Sequence, residues 1–412
     1  MVEKKLTIQQ NMLWNSIGSI CYLVCQWLIT VLVVRLSEDY EAAGTLALGM
    51  AVSNVFTPIG QYKVRPYQVS DIREQFTTPQ YVAFRIVTCG ISVLIMIVYG
   101  TATCEASALP AVFAYGVYSL GPIFVDVLHG ADQRAFRMDI IGKSFIARGL
   151  LSVLVFSVSL AVFQSLTLSL ILMTVATFLV IALFDARETA GICGDITPDF
   201  NPKAIRDLFI KCAPAVVAAF ISSAIPSFPR QALGAILGTS ALGIYASVAS
   251  PVLIIQMGAQ YVYSPLLSEF AIRFDKGDVR SYLSLLAKVT LAMCGITLLG
   301  MAGFALFGSW ALSLLYGNEI AAYTNLLQPL CICSALTAYI WLLSDLLIAA
   351  RDLAGNLIGY TISFALCLVT MNPLIAAFGM NGATFVVMAS YLAGMAFFLF
   401  RLAVKLRALS KK

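Results

Sequence analysis

Apolar runs of roughly twenty residues recur along the whole chain, and short segments with charged residues, proline or glycine separate them. A run of this length lets an α-helix cross the hydrocarbon core of a bilayer. The pattern predicts about twelve spanning helices. They lie at residues 9–35, 42–62, 81–101, 109–129, 143–163, 166–185, 209–233, 240–263, 283–308, 323–347, 354–376 and 380–403.

Composition agrees with this pattern, because 60% of the 412 residues are hydrophobic and only 11% are charged. Soluble globular domains carry about 25% charged residues. The fold class is therefore an all-α integral membrane protein. The first apolar run is long enough to span, and we expect it to remain as an uncleaved first helix.

The basic residues predict the orientation of the chain. If the N-terminus is cytoplasmic, then of the 26 Lys and Arg only Arg35 and Arg230 fall towards the outside. The positive-inside rule then predicts that both termini are cytoplasmic. In this arrangement Arg85 and Arg148 sit at inner helix ends, where they are mainly orientation signals. The predicted outer connections are all short, which leaves no outer domain for an active site.

The two halves of the chain resemble each other in short segments. Residues 41–50 align with 240–249, 89–92 with 294–297, and 134–142 with 351–359, at shifts of 199, 205 and 217 positions. Chance matches of glycine and alanine are the alternative explanation. A true repeat of six helices is parallel, as in transporters that alternate access between two bundles. We predict an N-terminal lobe at residues 1–190, a cytoplasmic linker at 191–208 and a C-terminal lobe at 209–412.

Three stretches carry a resemblance to a known family: Arg35 to Gly44, Leu237 to Tyr245, and Leu314 to Gly317. They resemble the flippases of polysaccharide repeat units, of the O-antigen and capsule type, in the multidrug/oligosaccharidyl-lipid/polysaccharide export superfamily. The resemblance implies two six-helix lobes around a central cavity in a bacterial plasma membrane. It also implies alternating-access transport of a polyprenyl-pyrophosphate-linked oligosaccharide from the cytoplasmic to the outer leaflet. Lipid II flippases usually carry two further helices, which argues against lipid II as the substrate.

The same resemblance sets the expected partners. Besides the lipid-linked oligosaccharide and the bilayer, a polysaccharide polymerase and chain-length proteins are candidate partners. Nucleic acid is not expected, and we expect the protein to work as a monomer. No cofactor or metal is expected, since the cysteines mostly fall in apolar segments and the only histidine is His129. Coupling to a proton or sodium gradient remains open.

Polar residues inside the spans are the candidate substrate contacts, because a sugar-pyrophosphate headgroup needs hydrogen-bond donors and at least one cation. A polar stripe runs along the first predicted helix, and shorter ones follow on the second and eighth. Lining a cavity and bonding to a neighbouring helix remain equal alternatives for these stripes. The candidates are Asn15, Gln26, Asn54, Gln61, Arg65, Gln256 and Gln260.

Arginine suits pyrophosphate because its donors form a fixed fork. Arg230 lies on the polar face of its predicted helix, where Pro226 and Pro229 predict an interruption. Arg35 is also a candidate, but it points about half a turn away from the polar stripe of its own helix. That phase favours an anchor at the outer headgroups, or a partner for Glu38 or Asp39. Arg65 is placed to receive pyrophosphate on entry, and an orientation signal explains it nearly as well.

Two other functions compete with the flippase. A cation-coupled multidrug antiporter of the same superfamily would need an acidic cavity, and acidic residues near helix ends are few, chiefly Asp126, Asp185 and Asp345. A membrane glycan polymerase would need sizeable outer loops. No catalytic signature is present in the sequence, which favours a transporter over an enzyme.

Overall fold

A computed structural model describes residues 7–37, 39–71 and 74–409. Over these ranges the chain forms helices and no strand. Eleven helices are long and apolar enough to cross a membrane, and a twelfth is counted if a bent pair is one span. The prediction of an all-α, multi-pass membrane protein is confirmed. Lys4, Lys5, Glu38 and Arg73 lie outside the described residues.

The chain divides into two compact units, residues 1–223 and 224–412. The first unit contains α1 (Ile8–Leu36), α2 (Glu41–Gln61), α3 (Val64–Ser70), α4 (Thr78–Thr103), α5 (Leu109–Arg134), α6 (Met138–Phe163), α7 (Leu166–Val180), a π-helical turn (Ile181–Asp185) and α8 (Ala186–Cys193). Helix α9 (Pro202–Leu237) runs from the first unit into the second.

The second unit continues with α10 (Thr239–Tyr263), a 3₁₀ turn (Ser264–Leu266), α11 (Leu267–Asp275), α12 (Val279–Tyr316), a 3₁₀ segment (Asn318–Leu326), α13 (Leu327–Ala349), α14 (Leu353–Phe378) and α15 (Met380–Leu409). The division at residue 223 falls inside α9. The lobes at 1–190 and 209–412, with their linker, stay a prediction.

The order of elements supports the internal repeat. In the first unit α2 is followed by the short α3 and then by α4 to α7, and in the second α10 is followed by the short α11 and then by α12 to α15. Neighbouring helices correspond as well. Helix α2 packs on α4 and α5 as α10 packs on α12 and α13, and α6 packs on α7 as α14 packs on α15.

Helices α1 and α6 pack closely through two glycines. A Cβ added to Gly18 would lie 2.5 Å from the Cα of Gly142, and one added to Gly142 would overlap the carbonyl oxygen of Trp14. Backbone atoms cannot move aside as a flexible side chain can. Small residues at this crossing are therefore required for the two backbones to approach.

We expect Gly142→Ala to destabilise the protein by about 1–3 kcal/mol, the usual cost of overpacking. Gly90 in α4 is the matched control, because an added Cβ there meets no heavy atom of the described residues within 4 Å. Gly90→Ala should be neutral, or stabilising by about 0.4–1 kcal/mol through the unfolded state. Unfolding of the purified protein in detergent measures both variants. Equal losses would contradict the close crossing.

Helix α9 corrects one expectation. It is bent by 56° between Pro202–Ala213 and Ala215–Leu237, yet it continues as a helix through Pro226 and Pro229. Pro229 has no N–H to donate to the carbonyl of Ile225, four residues earlier. The thiol of Cys367 on α14 donates to that carbonyl instead, at 3.6 Å. The predicted interruption is wrong because a neighbouring helix bonds to the freed group.

Candidate functional site

The polar stripe of α1 is partly used for packing inside the first unit. Gln26 donates to the hydroxyl of Tyr118 on α5 at 2.9 Å. Asn11, one turn before Asn15, accepts from the backbone N–H of Met138 at 2.8 Å. Asn15 itself is half-buried. Helix–helix hydrogen bonding, one of the two alternatives for this stripe, therefore accounts for Gln26 and Asn11.

Arg35 lies in the last turn of α1 and is exposed on the surface of the protein. A cation there interacts favourably with the negative end of the helix dipole. This position agrees with an anchor at the end of the helix. Of its two suggested acidic partners, Glu38 lies outside the described residues.

The polar stripe predicted on the second helix, which included Asn54, Gln61 and Arg65, does not lie on one helix. Helix α2 ends at Gln61, because Tyr62 and Lys63 take left-handed backbone angles, with φ of 47° and 51°. Arg65 belongs to the separate helix α3, so its alignment with Asn54 and Gln61 along one face is wrong. Asn54 is exposed and Gln61 is half-buried. Pro66, in the first turn of α3, was an available signal for this break, since proline is tolerated at a helix start and not in its interior.

A charged network holds Arg65 within the first unit. Its guanidinium pairs with Asp126 at 3.3 Å and donates to the side-chain oxygen of Gln133 at 3.0 and 3.1 Å. Arg85 pairs with the other oxygen of Asp126 at 3.0 Å and donates to the carbonyl of Gly60 at 2.7 Å. One carboxylate thus serves two arginines. Because Arg65 is already bonded to Asp126 and Gln133, it is a weaker candidate for substrate binding than its position in the sequence suggested.

Arg85 and Arg148 are not surface signals of orientation. Their exposed fractions are 0% and 1%. Arg85 bonds to one of the last carbonyls of α2, where orphan acceptors and the helix dipole favour a cation. A single basic residue near the end of an apolar run looks the same whether it snorkels or is buried, so the sequence did not separate these cases.

Arg230 lies in the second unit, on α9, and is half-buried. In the part of the chain that the structure describes, its guanidinium pairs with no carboxylate. It interacts electrostatically with the phenols of Tyr245 and Tyr391 and with the thiol of Cys333. Tyr245 also shares a hydrogen bond with the hydroxyl of Thr384, at 3.1 Å. Phenols on α10 and α15 and a thiol on α13 therefore lie within electrostatic range of the guanidinium.

The remaining candidates lie on α10. Gln256 is half-buried and Gln260 is exposed. They are one turn apart on the same helix face. Over the described ranges, no group of three or more His, Cys, Asp or Glu side chains is arranged to hold a metal ion.

Comparison with known proteins identifies the fold. No protein-family model matches the chain. No curated sequence relative matches it either. An inward-facing multidrug resistance MATE family transporter of the MOP superfamily matches with a TM-score of 0.70 and 12% identity, over 98% of this chain and 99% of that one. This chain has the fold of MOP-superfamily transporters.

Two other similar structures show how widely this fold is used. The lipid II flippase MurJ, in an inward closed conformation, matches with a TM-score of 0.69 and 11% identity, over 96% of this chain and 89% of that one. A MOP superfamily transporter from Pyrococcus furiosus matches with a TM-score of 0.59 and 12% identity, over 97% and 95%. Because the fold includes both a multidrug transporter and a lipid flippase, the substrate has to be inferred from this chain's own residues.

Proposed function

We propose that the protein is a flippase that moves a polyprenyl-pyrophosphate-linked oligosaccharide from the cytoplasmic to the outer leaflet for cell-surface polysaccharide synthesis. Arg230 carries the proposal. Inside the membrane a cation normally pairs with an acidic group, or serves a substrate or ion pathway. Arg230 has no carboxylate partner among the described residues, which suits an anionic ligand.

The chemistry of the headgroup fits this guanidinium. A pyrophosphate accepts two parallel hydrogen bonds from one guanidinium. Tyr245 and Tyr391 are only 4% and 1% exposed, so the headgroup would meet the half-buried guanidinium rather than these phenols. We propose that Arg230 recognises the headgroup, with Gln256 and Gln260 as further contacts. Both termini then lie in the cytoplasm.

A cation-coupled multidrug antiporter is the second candidate. The fold shared with MATE transporters favours it. So do Asp132 and Asp185, two fully buried carboxylates in the first unit. These groups would serve a cationic drug or a coupling ion. An antiporter gives no reason for an arginine, Arg230, that has no carboxylate partner in the described part of the chain.

Deletion of the gene distinguishes the two candidates. For a flippase we expect lipid-linked oligosaccharide to accumulate on the inner leaflet and surface polysaccharide to be lost, with drug susceptibility unchanged. Radiolabelled lipid extracts and surface staining measure the first two, and inhibitory drug concentrations measure the third. Increased drug sensitivity without accumulation of the lipid would overturn the flippase and favour the antiporter.

A further inference from the structure

A buried polar cluster lies where α5 meets the π-helical turn and α8 in the first unit. His129 and Asp132 are three residues apart on α5, and Asp185 and Thr189 are four apart on the facing segment, so each pair shares a helix face. His129 Nε2 lies 3.2 Å from an oxygen of Asp185. The hydroxyl of Thr189 donates to one oxygen of Asp132 at 3.0 Å. All four side chains are at most 1% exposed.

The π-helical turn contributes Asp185 to this cluster. It covers Ile181–Asp185, between α7 and α8, and the backbone N–H of Ala186 bonds to the carbonyl of Ile181, five residues earlier. Such turns are rare in proteins, and those that occur are often at functional sites. Asp185 is the last residue of the turn, and it is the residue that contacts His129.

A chain of hydrogen bonds leads from His129 to an arginine. His129 Nε2 lies 3.3 Å from the hydroxyl of Ser144, and that hydroxyl accepts from Nε of Arg148 at 3.0 Å. The guanidinium of Arg148 lies over the rings of Tyr22 and Phe145, at 5.4 and 5.3 Å. The other charged groups around the cluster are Arg65 of α3, Arg137 just before α6, and Asp126, one turn earlier on α5.

The cluster contains buried polar atoms without partners. Among the described residues, Oδ2 of Asp132 and Oδ2 of Asp185 have no hydrogen-bond partner, and neither have the two terminal nitrogens of Arg148. A buried carboxylate with an unbonded oxygen is costly while it is ionised. A proton on that oxygen removes the charge and supplies a donor. Asp132 is the better acceptor of the two, since Asp185 already has the imidazole of His129 beside it.

A proton fits this cluster better than a sodium ion. A metal cation takes several oxygen ligands, and the described residues offer no metal-binding group of three or more such side chains. The guanidinium of Arg148 also adds a positive charge to the surroundings. Histidine next to a carboxylate is a common arrangement for proton exchange.

The repeat places apolar residues of the second unit at three of these positions. The shift of 217 positions places Leu346, Ala349 and Ala365 opposite His129, Asp132 and Arg148. Leu346 is buried in the second unit, where it packs as an ordinary core residue. Apolar residues in such positions are often as stabilising as buried charges, or more so. A structural role alone therefore does not account for the cluster in the first unit.

We propose that Asp132, together with His129 and Asp185, forms a proton-binding site inside the first unit that couples transport to a proton gradient. Asp132 takes the proton on its unbonded oxygen, so its charge changes from negative to neutral. His129 and Asp185 lie beside it at the same helix interface. The coupling rests on the proposed transport function, whereas proton binding does not.

Infrared difference spectroscopy of the purified protein in nanodiscs tests proton binding directly. Between about pH 5 and 9 an exposed carboxylate stays ionised, so a protonated carboxyl band that titrates there reports a buried acid. We expect such a band in the natural protein and its loss in Asp132→Asn, which keeps the acceptor for Thr189. Glu74→Gln is the control, because Glu74 is 78% exposed and pairs with Arg134. No titrating band in the natural protein, or an unchanged band in Asp132→Asn, would overturn the site.

Proteoliposomes test the coupling with a fluorescent polyprenyl-pyrophosphate disaccharide as the probe. A gradient of about two pH units supports up to about 100-fold enrichment of the probe in one leaflet for each coupled proton. We expect the natural protein and Glu74→Gln to use the gradient, and Asp132→Asn to lose the enrichment. Equal enrichment in Asp132→Asn would overturn coupling at this site. A titrating band without any movement of the probe would instead contradict the flippase and leave the proton site standing.

Discussion

We expect Arg230→Ala to abolish polysaccharide export and to leave the protein inserted at normal abundance. The half-buried guanidinium has no carboxylate partner in the described part of the chain, so its removal orphans no buried acid and should not destabilise the second unit. Loss of a charge-assisted contact to pyrophosphate costs about 2–5 kcal/mol, which is more than about a 30-fold loss of transport. Surface polysaccharide measures export, and immunoblotting of membranes measures abundance.

Two further variants sharpen this prediction. Arg230→Lys keeps the charge without the planar fork, so we expect partial export. Arg35→Ala is the matched control, because Arg35 is exposed at the end of α1 and should show only a mild effect. If Arg35→Ala and Arg230→Ala reduced export equally at normal abundance, Arg230 would lose its special role.

Much of the fold could be predicted because the bilayer fixes helix length. The predicted span at residues 109–129 begins where α5 begins, at Leu109, since the polar segment before it marks the boundary. Helix α12 is different. It extends to Tyr316, whereas its predicted span ended at residue 308. Hydropathy reports the part of a helix that lies in lipid and carries little information on where the helix ends beyond it.

The site could be predicted less well, because its side chains depend on partners distant in sequence. Arg65 was placed on the face of α2 because the polar spacing was continued past the left-handed residues Tyr62 and Lys63, although Pro66 marks a new helix. His129 and Asp185 are 56 positions apart and still meet. Asp132 was missed, although its spacing of three residues from the only histidine was available as a signal.

The ion pair between buried Arg85 and Asp126 contributes to the stability of the first unit. We expect Asp126→Ala to destabilise the first unit by about 3–5 kcal/mol, because it leaves the fully buried Arg85 without its carboxylate. The carbonyl of Gly60 still accepts from Arg85, but it carries no charge to balance the guanidinium. Detergent unfolding of the purified protein measures the loss. Arg65 is more exposed and can turn towards solvent.

A control and a double variant separate this burial effect from loss of any ion pair. Glu74→Ala removes the partner of Arg134 in a pair whose carboxylate is 78% exposed, so it should cost only about 0–1 kcal/mol. The double variant Arg85→Met with Asp126→Leu should regain most of the stability, since a packed apolar pair replaces a buried ionic one. The internal repeat favours this outcome. At the shift of 217 positions Leu343, a buried core residue of α13, stands where Asp126 does. Equal losses in Asp126→Ala and Glu74→Ala would mean that Arg85 reaches water when its partner is removed.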